Sequence, residues 1–539
     1  MSKLSKLLRK WVGKPKPEKA KDLQKKSLPK KQGLIGNKPP VDPFLDLVDD
    51  FAGRCERWPV GAGGGGKRVG FLITPWISTA VPLLMLECAR RLAEGGNSCV
   101  LMVDGTNLMQ NAEDAAHLQK LEDLLLRHFS DFEVLRASDE QGVNDDVTDE
   151  DRNSALRLLR ENAIWRARGE TGADSVATDR FADEEMVAAH LARVRRIFER
   201  AELGQLLVPG GIFGLSGVYL AAARKAGVPF ATFDGTNQIL RLCQNGIAAH
   251  LEDIPAAFSE LESGMEGCQL EIVAARAFAE LDDRVHARDF RQFQLVSARG
   301  DETLAFDIVV PLNIRWDSAA LGRQRAFPSV EDWLRALLDW VAARPRLKIC
   351  LRQHPRERLA FARSGDDLAP LVAEYACLGD RLRYVRADEE VSTYDLLRQA
   401  RVVLPHTSTV GIEAAMLGKA VVLSTACYYE GLGFCQAARN AGDYFDRLEK
   451  ALTDGADPDE RARQRAALAY HLTQNCAYVK TCFTAVPDDF RVWNHIPPEV
   501  LWEKPEMKDF QSSLVTCQPL SVIRHRRLIQ GETSDKVSG

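Results

Sequence analysis

The stretch RVVLPHTSTVGIEAAMLGKAVVLS, residues 401–424, decides the fold. Arg401–Leu404 and Ala420–Ser424 are short apolar runs rich in valine, the composition of strands buried on both faces. Between them lie a hydroxyl-rich turn and a helical segment around Glu413–Leu417. Strand, helix and strand of this length form a βαβ unit, the building block of a parallel sheet. The same rhythm runs outward in both directions. Upstream come Leu304–Leu312, a helix over Val330–Ala343, a strand Arg346–Arg352 ending at His354-Pro355, a strand Leu382–Val385 and a helix around Thr393–Gln399. Earlier still, Lys67–Thr74 and Ser98–Asp104 read as strands around a helix over 78–94. Leu206–Val208, a glycine-rich turn at Pro209–Gly217, a helix through Lys225 and a strand Pro229–Phe233 ending at Asp234 complete a first set. Residues 106–200 read as charged helix with an acidic loop near Ser138–Arg152, and 255–300 as a helical bridge. The fold class is therefore α/β, with two Rossmann-type, doubly wound parallel-sheet domains facing a cleft and extra helices. The expected division is a basic arm over 1–66, a first domain over 67–300, a second over 301–470, and C-terminal helices with a polar tail over 471–539. The tail beyond Glu503 reads as poorly ordered.

The 539 residues are 45% hydrophobic and 27% charged, enough for two or three cores at roughly 100–200 residues per domain. Twelve cysteines occur singly, with no C-x-x-C pair, so neither a zinc ribbon nor a disulfide framework is signalled. No run approaches the ~20 apolar residues of a membrane-spanning helix. The formal charge of −5 is uneven: residues 1–38 carry thirteen Lys/Arg against Glu18 and Asp22, a local +11, which leaves −16 on the body. An acidic body argues against nucleic acid as a partner. Within the arm, a helix over MSKLSKLLRKWV would gather Leu4, Leu7, Leu8, Trp11 and Val12 on one side. That pattern suits an anionic membrane surface, and a solvated tail is the other reading. Localisation is expected to be cytoplasmic, peripheral on the inner face of the cytoplasmic membrane. The run Gly61–Gly66 reads as a flexible lead-in, because no strand precedes it and no G-K-[ST] follows.

Three segments sit where open parallel sheets place ligands, at the carboxyl ends of strands. In Phe233-Asp234-Gly235-Thr236-Asn237, Asp234 either acts on something in the cleft, with Gly235 permitting a sharp turn, or forms an Asx-turn or helix cap. In Arg352-Gln353-His354-Pro355-Arg356, proline holds His354 extended; its imidazole with Arg352 and Arg356 either meets a phosphate or nucleobase or marks a surface turn. In Pro405–Lys419, Thr407, Ser408 and Thr409 beside His406 offer hydroxyls to an anion at a helix start, and Glu413 one turn on can accept from a ribose diol. Simple capping, with Glu413 as the capping-box partner, needs only one hydroxyl where this segment offers three.

With GKAVVLSTACYYEGLGF behind it, and with PLNIRWDSA at Pro311–Ala319, the third segment resembles the donor domain of GT-B glycosyltransferases. More narrowly it is similar to bacterial capsule and lipopolysaccharide polysaccharide-synthesis proteins that act as Kdo transferases, with sialyltransferase-like motifs. The likeness spans residues 200–435 in scattered motifs and is dense only over 401–435. It implies that Phe233-Asp234-Gly235 stands for the acidic catalytic motif, with Phe233 in place of its first acid. His354-Pro355 and Ser408-Thr409 would hold the cytidine monophosphate of the donor.

The implied activity is transfer of Kdo or a related nonulosonic acid from a CMP-sugar donor to a glycan or glycolipid acceptor. No cofactor or metal is expected; Asp149-Glu150-Asp151 is formally D-x-D but reads as solvated loop. Asp234 would serve as general base in an inverting reaction or as nucleophile in a retaining one. The latter needs a second acid, for which Glu161 or Glu170 are the candidates. The binding set is His354, Pro355, Arg352, His406, Thr407, Ser408, Thr409 and Glu413, with Arg315, Arg356 and Lys419 adding positive potential. Two other readings stay open: a UDP- or GDP-sugar enzyme, transferase or 2-epimerase, and a degenerate transferase kept as an assembly scaffold.

Overall fold

The computed structural model describes residues 43–58, 65–74, 80–106, 114–139, 147–166, 183–212, 214–236, 238–286, 288, 305–453, 459–483 and 487–537. The amphipathic stretch in the arm, most of the glycine run and Glu170 lie outside these residues. Apolar strands recur as the valine-rich runs require: β1 (Arg68–Ile73), β2 (Ser98–Val103), β3 (Glu133–Arg136), β4 (Gln205–Pro209), β5 (Phe230–Thr236) and β6 (Ile239–Gln244). The second series is β7 (Ile308–Pro311), β8 (Ile349–Arg352), β9 (Leu382–Val385), β10 (Val402–Val403), β11 (Ala420–Leu423) and β12 (Gln436–Ala437). β13 (Tyr478–Lys480) follows near the end. They form two sheets, ordered β13-β6-β5-β4-β1-β2-β3 and β12-β11-β10-β7-β8-β9. The second is wholly parallel, in the doubly wound order 3-2-1-4-5-6 when its strands are counted from β7. The first is parallel from β3 through β5 and antiparallel at β6 and β13.

Period-two alternation splits each strand between two cores. Val69, Phe71 and Ile73 of β1 join one cluster while Leu72 joins the opposite one; Val309 of β7 faces one way and Ile308 and Val310 the other. Each sheet is thus covered on both faces, as parallel sheets require.

Three expectations fail at the ends of the chain and in its middle. Residues 43–57 were expected within a disordered arm; they form a helix, Pro43–Arg57, that buries Phe44, Leu47, Val48 and Phe51. Beyond Glu503 the chain forms helices Pro505–Thr516 and Leu520–Val537, whose Phe510, Leu514, Leu520 and Val522 are at most 1% exposed. These apolar positions are sparse along the sequence; Phe510, Leu514 and Leu520 join the core around the first sheet and Val522 that of the second. Glu87, fully buried on the helix Val81–Glu94, accepts from Arg54 at 2.7 and 3.2 Å, from Trp493 Nε1 at 2.7 Å and from Trp502 Nε1 at 2.9 Å. One carboxylate so ties the helix Pro43–Arg57 and the segment from Trp493 to Trp502 to the helix that packs on the first sheet. The stretch Asp149-Glu150-Asp151 opens the helix Asp149–Arg166 rather than lying in a solvated loop. Asp151, 4% exposed, pairs with Arg195 at 3.0 Å and Lys225 at 3.1 Å.

Candidate functional site

Asp234 does not end its strand. β5 continues to Thr236 and turns back as β6, an antiparallel hairpin in which Arg241 is the register partner of Asp234. The guanidinium lies 3.9 Å from the carboxylate. Neither the Asx-turn nor the helix cap is found, and Gly235 does not make the turn. A Cβ on Gly235 would come within 2.7 Å of the Phe483 ring, so glycine is needed there for close packing. About 30% of the Asp234 side chain remains accessible. Desolvation by the surrounding protein pushes its carboxyl up, Arg241 pulls it down, and a second carboxylate, Asp317, pushes it up again.

Asp317 comes from the loop after β7, on the other sheet, and it also acts on His354. Burial drives the His354 imidazole down to about 4, Asp317 opposing and Arg356 and Arg352 reinforcing the shift. Asp234 of the first sheet and His354 of the second therefore share one charged neighbour. Nδ1 of His354 accepts from the Arg356 N–H at 3.2 Å, so the neutral ring carries its proton on Nε2, available as a donor. Pro355 opens the 3₁₀ turn that presents this N–H.

The loop after β7 also joins the two sheets. His250 Nε2 bonds Ser318 O at 2.8 Å, and Arg323 donates to Glu252 Oε1 at 2.8 Å. Although burial pushes Glu252 up, hydrogen bonds from His250 and the Ile247 N–H, with the charges of His250 and Arg323, hold it down at about 2. Glu161 reaches the same loop: a Cβ on Gly322 (φ +69°) would stand 2.5 Å from its Oε1, and burial pushes its carboxyl up. No bond joins Glu161 to Asp234 among the described residues.

The hydroxyl turn follows β10 at the point where strand order reverses beside β7. Asn313 bridges that point, donating to Thr407 Oγ1 at 3.0 Å and accepting from the Thr407 N–H at 3.3 Å. Ser408 Oγ accepts from the Val410 N–H at 3.3 Å, and Ser408 O accepts from Tyr429 OH at 2.9 Å. Gly411 leaves room for that tyrosine; a Cβ there would overlap its hydroxyl. Thr409 stands at the start of the helix Val410–Met416 without capping it through its side chain. His406 is 3% exposed, neither ring nitrogen has a hydrogen-bond partner among the described residues, and burial holds it down at about 4.

Several expected ligand contacts are spent on the scaffold instead. Glu413, 2% exposed, accepts from Arg284 at 2.6 Å and from Tyr394 OH at 3.0 Å, so it is closed to a ribose. Arg352, 1% exposed, donates to the carbonyls of Arg386 and Val391 and holds the β9 loop rather than a phosphate. Arg315 bonds Glu331 and the Asp366 carbonyl at 2.6 Å, and Lys419 donates to Arg398 O at 2.6 Å. These partners lie 16 to 129 residues away, beyond the reach of spacing arguments. Asp317 and Asn313, which sequence reasoning passed over, sit inside the PLNIRWDSA stretch quoted above; their place after a β7 strand end was the available signal.

The crevice between two doubly wound sheets, lined at strand carboxyl ends, is a GT-B-like arrangement. Residues 269–455 match the family model of capsule polysaccharide biosynthesis proteins. This match includes His354, the hydroxyl turn and Asp317. No curated protein matches the chain. Among solved structures, the Thermosulfurimonas dismutans KpsC β-Kdo 2,4-transferase is similar at 17% identity and TM-score 0.33, over 49% of this chain and 79% of that one. Its β-Kdo 2,7-transferase counterpart is similar at 16% and 0.30, over 51% and 79%. A putative UDP-N-acetylglucosamine 2-epimerase from Listeria monocytogenes is similar at 11% and 0.25, over 76% and 96%. At such scores these likenesses do not bear on activity. No described helix is long and apolar enough to cross a membrane.

Proposed function

We propose that the protein is a glycosyltransferase that moves Kdo or a related nonulosonic acid from a CMP-activated donor to a surface-glycan acceptor. What supports this reading is the loop after β7, which carries Asp317 and bonds across to the first sheet through His250 Nε2–Ser318 O and Arg323–Glu252, both at 2.8 Å, with Asp317 opposing the Arg241 effect on Asp234 and the burial of His354. A reacting sugar between Asp234 and His354 would have a carboxylate on one side and a neutral N–H donor with hydroxyls on the other.

In the inverting course, the acceptor oxygen attacks the anomeric carbon and its proton passes to Asp234. The bond to the phosphate oxygen breaks with its electron pair leaving on CMP. A carboxyl raised by desolvation is the better base for this step. His354 Nε2–H, Ser408 and Thr409 donate to the departing phosphate, where charge develops. In the retaining course, Asp234 itself attacks the anomeric carbon and CMP departs; the acceptor oxygen then displaces Asp234, with its proton taken up by a second carboxylate. The raised carboxyl of Glu161, at the same loop, supports its candidacy for proton transfer. Membrane attachment through residues 1–38 would hold the enzyme beside a glycolipid acceptor. Deleting that arm should abolish co-sedimentation with anionic vesicles, and unchanged co-sedimentation would remove the attachment.

Thermal unfolding with nucleotides tests the donor class. A ligand at 100 times its dissociation constant stabilises by about 2.7 kcal/mol. CMP should raise the melting temperature where UMP and GMP do not; a rise with UMP alone would move the protein to the UDP-sugar enzymes.

A further inference from the structure

Far along the chain from the hydroxyl turn, three side chains with soft or borderline donor atoms converge. The helix Glu460–His471 does not stop at His471 but widens into one π-turn, Leu472–Cys476, closed by the Ala477 N–H bonding Leu472 O, five residues back, at 2.8 Å. In a regular α-helix, residues five apart lie about 140° away from each other around the axis. The wider turn returns residue 476 over residue 471, and such turns are concentrated at functional positions. Cys476 Sγ thereby stands 3.3 Å from His471 Nε2. From the C-terminal helix, His525 Nδ1 reaches the same nitrogen at 3.2 Å. All three donor atoms lie within 4.8 Å of one another, and the three residues are at most 5% exposed.

As a hydrogen-bond cluster this is poorly matched. His471 Nε2 has either one proton or one lone pair in the ring plane, yet it faces two partners at bonding distance. As a metal site the two separations at His471 Nε2 fit. Zinc bonds of about 2.0–2.1 Å to nitrogen and 2.3 Å to sulfur, set tetrahedrally, separate the ligand atoms by roughly 3.4–3.6 Å. The surrounding charge is mixed: Arg276 and Arg524 face His471, and Arg526 faces His525. Around Cys476 stand Arg524 and Arg527 with Glu280 and Asp509, and Asp509 pairs with Arg524 at 3.3 Å and Arg527 at 2.7 Å. The arginines already outweigh these two carboxylates, so the thiolate formed on binding is the one negative charge gained against a divalent cation.

We propose that His471, Cys476 and His525 bind one zinc ion, with water at the fourth position. Its place in the fold gives it a task. The helix Glu460–His471 packs in the core of the second sheet, and two residues after Cys476 the chain enters β13, which pairs with β6 of the first sheet. The ion would pin the crossing between the two sheets to the helix Leu520–Val537, and so fix how the crevice closes. The spacing 471, 476 and 525 matches no short metal motif, because it depends on the π-turn and on a helix 49 residues further on.

Full-length protein purified without chelator, then exposed to Zn2+ and desalted, should retain one zinc per chain by plasma mass spectrometry. Co2+ in its place should give a thiolate-to-cobalt charge-transfer band in the near ultraviolet. Cys476→Ser, a near-isosteric change, should lose that band while keeping the wild-type circular dichroism. His525→Gln should lose zinc on desalting. Folded wild-type protein that retains no zinc and gives no such band would overturn the site, as would undiminished zinc in both variants.

Discussion

Replacing His406 with glutamine should flatten the acid dependence of folding stability. The ring is 3% exposed, without a hydrogen-bond partner among the described residues, and burial moves it from 6.5 to about 4. Between those values the unfolded chain binds the proton and the folded one does not. Stability therefore falls as pH drops from about 6.5 to about 4, with no further loss from this group below that. The full displacement is worth about 3 kcal/mol at 1.36 kcal/mol per unit. Taken only from about pH 7.5 to about pH 5, the linkage relation gives a loss of about 2 kcal/mol. Urea unfolding of the wild type and of His406→Gln at those two pH values, at equal ionic strength, measures it. The loss between the two pH values should be smaller in the variant by about 2 kcal/mol. Asp253, whose carboxyl burial pushes up to about 6, works in the opposite sense as pH falls from about 6 to 3.8. It is common to both proteins and cancels. Equal losses would refute the assignment of His406 as a neutral, unpaired imidazole beside the hydroxyl turn.

Glu87→Ala leaves Arg54 buried without its partner and two indole N–H groups unmatched, so it should cost about 3–5 kcal/mol in unfolding measurements; a cost below about 1 kcal/mol would mean that these segments are held otherwise. Arg284→Met alone strands Glu413 and should destabilise comparably, whereas the double change Arg284→Met with Glu413→Leu should recover most of the loss. Failure of the double change to recover stability would argue that Glu413 is there for more than its ion pair. Asp317→Asn removes a like charge from Asp234, so the limb of the transfer pH profile governed by Asp234 should move to lower pH. A profile that stays in place would detach Asp317 from the reacting pair.

The βαβ rhythm was legible because its cause is local: valine-rich runs need burial on both faces, and hydroxyl or proline residues punctuate their ends. The strand-end rule then placed His354 after β8 and the hydroxyl turn after β10 without any knowledge of their neighbours. What failed depends on pairings across long separations. Asp234 was taken for the last residue of a strand, but β6 lies against it and supplies Arg241. Glu413 carries a helix-start spacing suited to a diol, yet Arg284, 129 residues earlier, occupies it. The C-terminal helices look polar because few of their residues face inward; Trp493 and Trp502 meet Glu87, Phe510, Leu514 and Leu520 the first-sheet core, and Val522 the second. β3, with its half-exposed residues, lacks the apolar run that reveals its neighbours.

The central claim is tested most directly by following CMP release and glycan mass when full-length protein is incubated with CMP-Kdo and an acceptor glycan, wild type beside Asp234→Ala. The wild type should release CMP in step with a mass increase of one sugar, and Asp234→Ala should fall by orders of magnitude while still binding CMP. Undiminished transfer by Asp234→Ala would contradict the account.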